Sequence, residues 1–173
     1  MDYYSQIEQD RWVCEMLNFK KGGTWVDIGC ARPIHINNTY ALETQLNWSG
    51  LSLDISQEYI DEWEGQRSIE GLICENALTI DYDKWFTDNG IPEVVDYLSM
   101  DLEPPTITLE ALYRIPFDKY KFRYITYETD AYRDMGTQEL SRDYLRSKGY
   151  VLIKEGDQDD FWGHGDASSL GTW

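Results

Sequence analysis

The sequence predicts an α/β fold: one doubly wound, mostly parallel seven-stranded sheet with an antiparallel edge strand and helices on both faces. Three observations predict it. Short apolar runs ending in polar loops alternate five times with helical patterns, which favours an open parallel sheet. Two more strand-like runs close the chain with no helix between them, so one edge strand runs antiparallel. The 173 residues, 42% of them hydrophobic and 14% aromatic, suffice for one real core and exclude a disordered chain. Residues 1–173 read as a single domain: an N-terminal helix within 1–22, a core over 23–162, and a loose Gly/Ser-rich tail over 163–173.

The first helix is expected over residues 4–18, with Ile7, Cys14 and Leu17 near one face, and Lys20-Lys21-Gly22-Gly23 stops it. Thr24–Ile28 is the first strand. Asn37 and Asn38 are good caps for a helix to residue 47, where Leu42 and Leu46 lie four apart. Ser49-Gly50 turns the chain into a second strand, 51–54, and Ser56 caps a helix over Gln57–Trp63. Residues 69–74 read as a short third strand and 82–90 as a mixed segment with one helical turn. Val94–Met100 is the strongest strand, apolar and partly β-branched. Pro104-Pro105 forbids its continuation and opens a helix carrying Ile107, Ala111 and Ile115 at four-residue spacing. A fifth strand, 122–127, ends at Glu128; a helix over 134–148 stops at Gly149; 150–153 and 160–162 form a closing hairpin.

In open α/β sheets, ligands bind outside the carboxyl ends of the strands. Those ends carry Asp27-Ile28-Gly29, Asp54, Glu75-Asn76, Asp101-Leu102-Glu103 and Glu128. Five acidic strand ends without a matching basic cluster suit a cationic, hydroxyl-rich cofactor and suit a dinucleotide's pyrophosphate badly. Gly29 lets backbone approach a ligand, and Asp54 is placed to take a ribose diol. Cys30-Ala31-Arg32-Pro33 follows Gly29 where a dinucleotide fingerprint needs further glycines, which disfavours a nicotinamide oxidoreductase.

Gly23-Thr24-Trp25-Val26-Asp27-Ile28-Gly29-Cys30-Ala31, Asn37-Asn38-Thr39 and Asp96-Tyr97-Leu98-Ser99-Met100-Asp101-Leu102-Glu103 together resemble the FkbM family of class I, Rossmann-like S-adenosylmethionine-dependent methyltransferases. Ile115-Pro116-Phe117-Asp118, Lys148-Gly149-Tyr150-Val151-Leu152 and Asp159-Asp160-Phe161-Trp162 extend the resemblance to residue 162. The resemblance implies S-adenosyl-L-methionine as cofactor. It implies that Asp27, Gly29 and Cys30 line its methionine end, helped by Asn38 and Thr39. Asp54 would hold the ribose, Asn76 would lie near the adenine, and Asp101 would face the methyl group. The implied activity is O-methylation of a hydroxyl on a small metabolite or carbohydrate.

Methyl transfer from a sulfonium is an in-line displacement, and an aliphatic hydroxyl needs help losing its proton. The candidate catalytic residues are Asp101, Glu103, His35 and Glu128. Asp101 and Glu128 offer hard oxygen ligands, but nothing in their spacing demands an ion, and no metal is assigned. Trp25, Trp48, Trp63 and Trp85 read as packing, whereas Trp162, Tyr127 and Tyr132 are candidates to line an acceptor cleft. The family commonly has a flexible pair where this chain has Arg32-Pro33, and Gly where it has Pro104. These departures motivate an alternative, a catalytically inactive methyltransferase-fold binding module.

The formal net charge of −17 argues against nucleic acid and anionic membrane as partners, leaving a small-molecule or carbohydrate acceptor. Cys14, Cys30 and Cys74 lack metal-knuckle spacing and read as reduced thiols. No signal peptide or membrane-crossing run is seen, so a cytoplasmic protein is expected.

Overall fold

A computed structural model describes residues 1–132 and 135–165, the side chain of Met135 excepted. Among these residues the chain runs α1 (Gln9–Met16), β1 (Thr24–Ile28), α2 (Tyr40–Leu46), β2 (Ser49–Asp54), α3 (Gln57–Trp63), β3 (Leu72–Cys74) and α4 (Tyr82–Asp88). It continues through β4 (Val94–Met100), α5 (Pro105–Leu112), β5 (Lys121–Glu128), α6 (Met135–Ser147), β6 (Tyr150–Lys154) and β7 (Asp159–His164). One seven-stranded sheet has the order β3-β2-β1-β4-β5-β7-β6. β1 to β5 pair in parallel, and β7 runs antiparallel to both β5 and β6. The antiparallel strand thus slots in next to the edge, between β5 and β6.

The two-residue period of the strands sorts the core into two layers. Val26, Ile28, Leu98 and Ile125 face a cluster with Tyr82, Phe86, Leu109, Leu112 and Leu145 of α4, α5 and α6. Their alternate neighbours Trp25, Tyr97 and Tyr124 face Val13, Cys14, Leu42 and Leu46 of α1 and α2. Pro105 occupies the first turn of α5, where a missing N–H costs nothing. Ser56 Oγ accepts Tyr59 N at 3.4 Å and caps α3.

Several expectations shift in the structure. α1 begins at Gln9 because the Asp10 carboxylate gathers the preceding chain, accepting from Tyr4 N (2.7 Å), Ser5 N (3.3 Å) and Ser5 Oγ (2.5 Å). β3 begins at Leu72 rather than 69. Gly71, at φ +78°, lies so near the Gly50 carbonyl that a Cβ would sit 2.6 Å from it. Residues 82–88 form a full helix capped by Asp81, whose Oδ1 accepts Lys84 N at 3.0 Å. β7 extends through Gly163 and His164, which the sequence reading placed in the tail; 166–173 and the expected helix start at 134 lie outside the described residues. Tyr127 and Trp162 are buried in the core rather than along a cleft, and Tyr132 is exposed. Trp25, Trp48, Trp63 and Trp85 are buried, as expected of packing residues. No described helix is long and apolar enough to cross a membrane.

Candidate active site

The parallel register brings the strand ends to one height. Ile28 pairs with Leu53 and Met100, Asp54 with Cys74, and Met100 with Tyr127. The next residues therefore form a single rim over a cleft of about 660 Å³, a size usual for cofactor sites. Of the predicted residues, Asp27, Gly29, Cys30, His35, Asn38, Asp54, Asn76, Asp101, Glu103 and Glu128 all line it.

Gly29 earns its place differently from the sequence argument. At φ +89°, a Cβ there would sit 1.8 Å from the Asp101 carbonyl oxygen, so the glycine lets the β1 and β4 exit loops touch each other. Asp54 is buried and fixed by two backbone donors: Ala31 N reaches Oδ2 at 2.9 Å and Ser56 N reaches Oδ1 at 2.8 Å. Each oxygen keeps a further lone pair for the cleft. Beside it, Ile55 is an exposed isoleucine on the wall, next to Ala77 and Leu78. Asn76 turns its Oδ1 back to Leu78 N at 2.8 Å, leaving its amide N–H groups as donors.

Asp27 lies deeper, almost wholly buried, and burial pushes its carboxyl up to about 7 against a hydrogen bond from Ser99 and the charge of Arg67. Ser99 Oγ in turn accepts Asn38 Nδ2 at 3.0 Å. Thr39 does not line the cleft. Its hydroxyl is fully buried behind Asp27, 3.3 Å from Oδ2, so it supports the floor rather than reaching a ligand. Cys30 is buried, and burial holds its thiol well above the ordinary range. Cys14, Cys30 and Cys74 are all free.

At the far end, Asp101 and Glu128 share a hydrogen bond. Burial raises both carboxyls, and the Asp101 charge raises Glu128 further. The hydrogen bond between them acts in opposite senses, lowering the Asp101 carboxyl against its burial and raising that of Glu128. Glu103, Glu128 and Asp130 each place a carboxylate oxygen within 4.8 Å of the others. His35 stands exposed at the mouth of the cleft and makes no hydrogen bond among the described residues.

No protein-family model and no curated protein sequence matches the chain. Solved structures do. A Clostridium thermocellum protein assigned as an rRNA methylase superimposes with a TM-score of 0.57 at 16% identity, over 94% of this chain and 96% of its own. A METTL16 methyltransferase domain gives 0.56 at 13% identity, over 92% and 81%. TrmK of M. capricolum, in complex with the cofactor product S-adenosyl-homocysteine, gives 0.56 at 17% identity, over 93% and 68%. The fold is that of the class I S-adenosylmethionine-dependent methyltransferases.

One sequence inference is corrected by this. The net charge argues against nucleic acid, yet the fold is shared with a protein assigned to rRNA methylation. A total of −17 sums the whole surface, whereas recognition is local, so it cannot remove a partner class.

Sequence reasoning also missed site residues. Asp130 sits two residues beyond a strand end, outside the positional rule that found the other acids. Gln6, from the segment before α1, and Tyr59, from α3, line the cleft without a motif to mark them. Arg67 is hidden in the α3–β3 connection, although its buried guanidinium is the cation facing Asp27.

Proposed function

We propose that the chain is a cytoplasmic S-adenosylmethionine-dependent methyltransferase of FkbM type that methylates a hydroxyl oxygen on a small metabolite or carbohydrate. The observation that carries the reading is the placement of Asp54 and the Asp101–Glu128 pair at opposite ends of one cleft beside the exit loop of β1. Asp54 would take the ribose diol, while Ile55 and Leu78 would cover the adenine faces and Asn76 would donate to its edge. Gly29, Cys30 and Asn38 would wall the methionine moiety, with Asp27 receiving its ammonium group. S-Adenosylmethionine supplies an electrophilic methyl group. Asp101 would then accept the acceptor's proton as the oxygen attacks, with Glu128 holding Asp101 in place and Glu103 lining the acceptor side. The free thiols support a reducing compartment.

A second reading, RNA as the acceptor, is favoured by the shared fold of the protein assigned to rRNA methylation. Calorimetry with S-adenosyl-homocysteine, followed by a product assay over a panel of sugars, small hydroxyl compounds and RNA, tests both. Methyl transfer to a sugar or small hydroxyl supports the first reading, and transfer to RNA alone supports the second. Binding with no turnover on any acceptor leaves the non-catalytic module, and no binding defeats all three.

A further inference from the structure

The loop after β1 carries the Arg32-Pro33 pair, and its backbone is held from behind with unusual completeness. Four consecutive carbonyls each meet a side-chain donor. Asn37 Nδ2 donates to Cys30 O (3.0 Å) and Arg32 O (2.9 Å), Trp63 Nε1 to Ala31 O (2.9 Å), and an Arg67 terminal nitrogen to Pro33 O (3.2 Å). On the other side Gly29 N and Cys30 N both donate to Leu53 O, at 2.8 and 3.0 Å, and Ala31 N donates to Asp54. Ala31 stands at φ +47°, a left-handed conformation that an alanine keeps only where its surroundings impose it.

Arg67 ties these donors together. Its side chain is wholly buried, with the guanidinium 4.1 Å from the Trp63 ring, 5.7 Å from Trp25 and 5.8 Å from Tyr40. Its Nε donates to Glu43 Oε2 at 2.6 Å; the terminal nitrogens reach Asn37 Oδ1 at 2.9 Å and Thr39 Oγ1 at 3.2 Å, besides Pro33 O. Asn37 Oδ1 also accepts Thr39 N and Tyr40 N, which fixes its amide so that Nδ2 faces the loop carbonyls. One planar cation thus joins the loop, the start of α2 and the aromatic floor. A lysine, with a single donor centre, cannot span these acceptors.

We propose that Arg67 is a positioning residue of the cofactor site, clamping residues 30–33 through Asn37 and Pro33 so that Ala31 N holds Asp54 toward the cleft. The inference rests on the reading that the cleft binds S-adenosylmethionine. It also explains how a stiff Arg32-Pro33 pair serves where the resembled family has a flexible one: the loop is built once and locked, not moulded around its ligand.

The test compares wild type, Arg67→Lys and Arg67→Met by S-adenosyl-homocysteine calorimetry and amide hydrogen exchange. In Arg67→Met the Ala31 amide loses protection while β4 amides keep theirs. Affinity falls about 10–100-fold, the usual loss for a supporting shell. Low-millimolar guanidinium ion, but not sodium, restores part of it by refilling the slot between the rings, and Arg67→Lys falls between the two. Ala31 protection and affinity unchanged in Arg67→Met overturn the proposal. If that variant does not fold, wild-type affinity in Arg67→Lys overturns it. A wild type that binds no S-adenosyl-homocysteine overturns the cofactor reading and this inference together, whereas wild-type binding with unaffected variants overturns this inference alone.

Discussion

The two ends of β4 carry acids in opposite settings, Asp96 buried and Asp101 half-buried at the cleft. Asp96, near its start, accepts Lys20 Nζ at 2.7 and 2.9 Å and Thr24 N at 2.9 Å, and lies 3.3 Å from Arg123 Nε. Asp101, just past its end, faces Glu128, with the charges of Asp130, Glu103 and Asp54 pressing on it. The company differs more than the burial does. An acid surrounded by donors and cations holds the fold together, while acids facing acids oppose folding and persist where a cleft uses them.

Removing a carboxylate should therefore have opposite consequences at the two ends. The largest effect is expected from Asp96→Ala, which removes the buried carboxylate that Lys20, Thr24 and Arg123 face and costs about 3–5 kcal/mol of stability in denaturant melts. An unchanged midpoint would break the comparison. Asp101→Asn should cut turnover about hundredfold or more, the contribution of a positioned base, with no loss of melting temperature. A fall in stability without loss of turnover would place Asp101 with Asp96. Asp54→Ala should weaken S-adenosyl-homocysteine binding by roughly 1–3 kcal/mol by calorimetry, and unchanged affinity in a folded variant would remove Asp54 from the site.

The smallest effect sharpens the contrast through pH. Asp159, beside Glu128 in the β5–β7 pairing, is pushed up to about 7 by burial first and then by the Asp101 charge, against a hydrogen bond from Gln9 Nε2 at 3.0 Å. An unfolded aspartate ionises near pH 4. Between about 4 and 7 the unfolded chain releases a proton that the folded chain keeps, so stability falls as pH rises through that window. Asp159→Asn should therefore gain about 1 kcal/mol at pH 8 and nothing near pH 4. A gain equal at both would assign the effect to packing.

Much of this contrast was legible in the sequence. Val94–Met100 reads as a strand because a central parallel strand is buried on both faces and needs a continuous apolar run. Asp27, Asp54, Asp101 and Glu128 were found because strand ends in such sheets face ligands, a positional rule needing no motif. The rest was hidden because it depends on distant contacts. Thr39 sits beside Asn38 in sequence, but the chain entering α2 sets one at the cleft and buries the other behind Asp27. Tyr127 and Trp162 resemble sugar-stacking residues in composition, and only strand register sends them into the core. Arg67 has no local signature: its partners come from four segments, and its loop reads as surface. The charge argument failed for a related reason, since a sum over the chain carries no positions.

The order of strands at the sheet's far edge has one more consequence. β6 leaves the ribosome before β7, yet β7 is the strand that sits between β6 and β5. Until residues through His164 have been synthesised, β6 has no seat on the sheet, and Glu128 lacks its neighbour Asp159. Translation thus lays down the Asp54 side of the rim early and sets Asp159 beside Glu128 only once β7 is made.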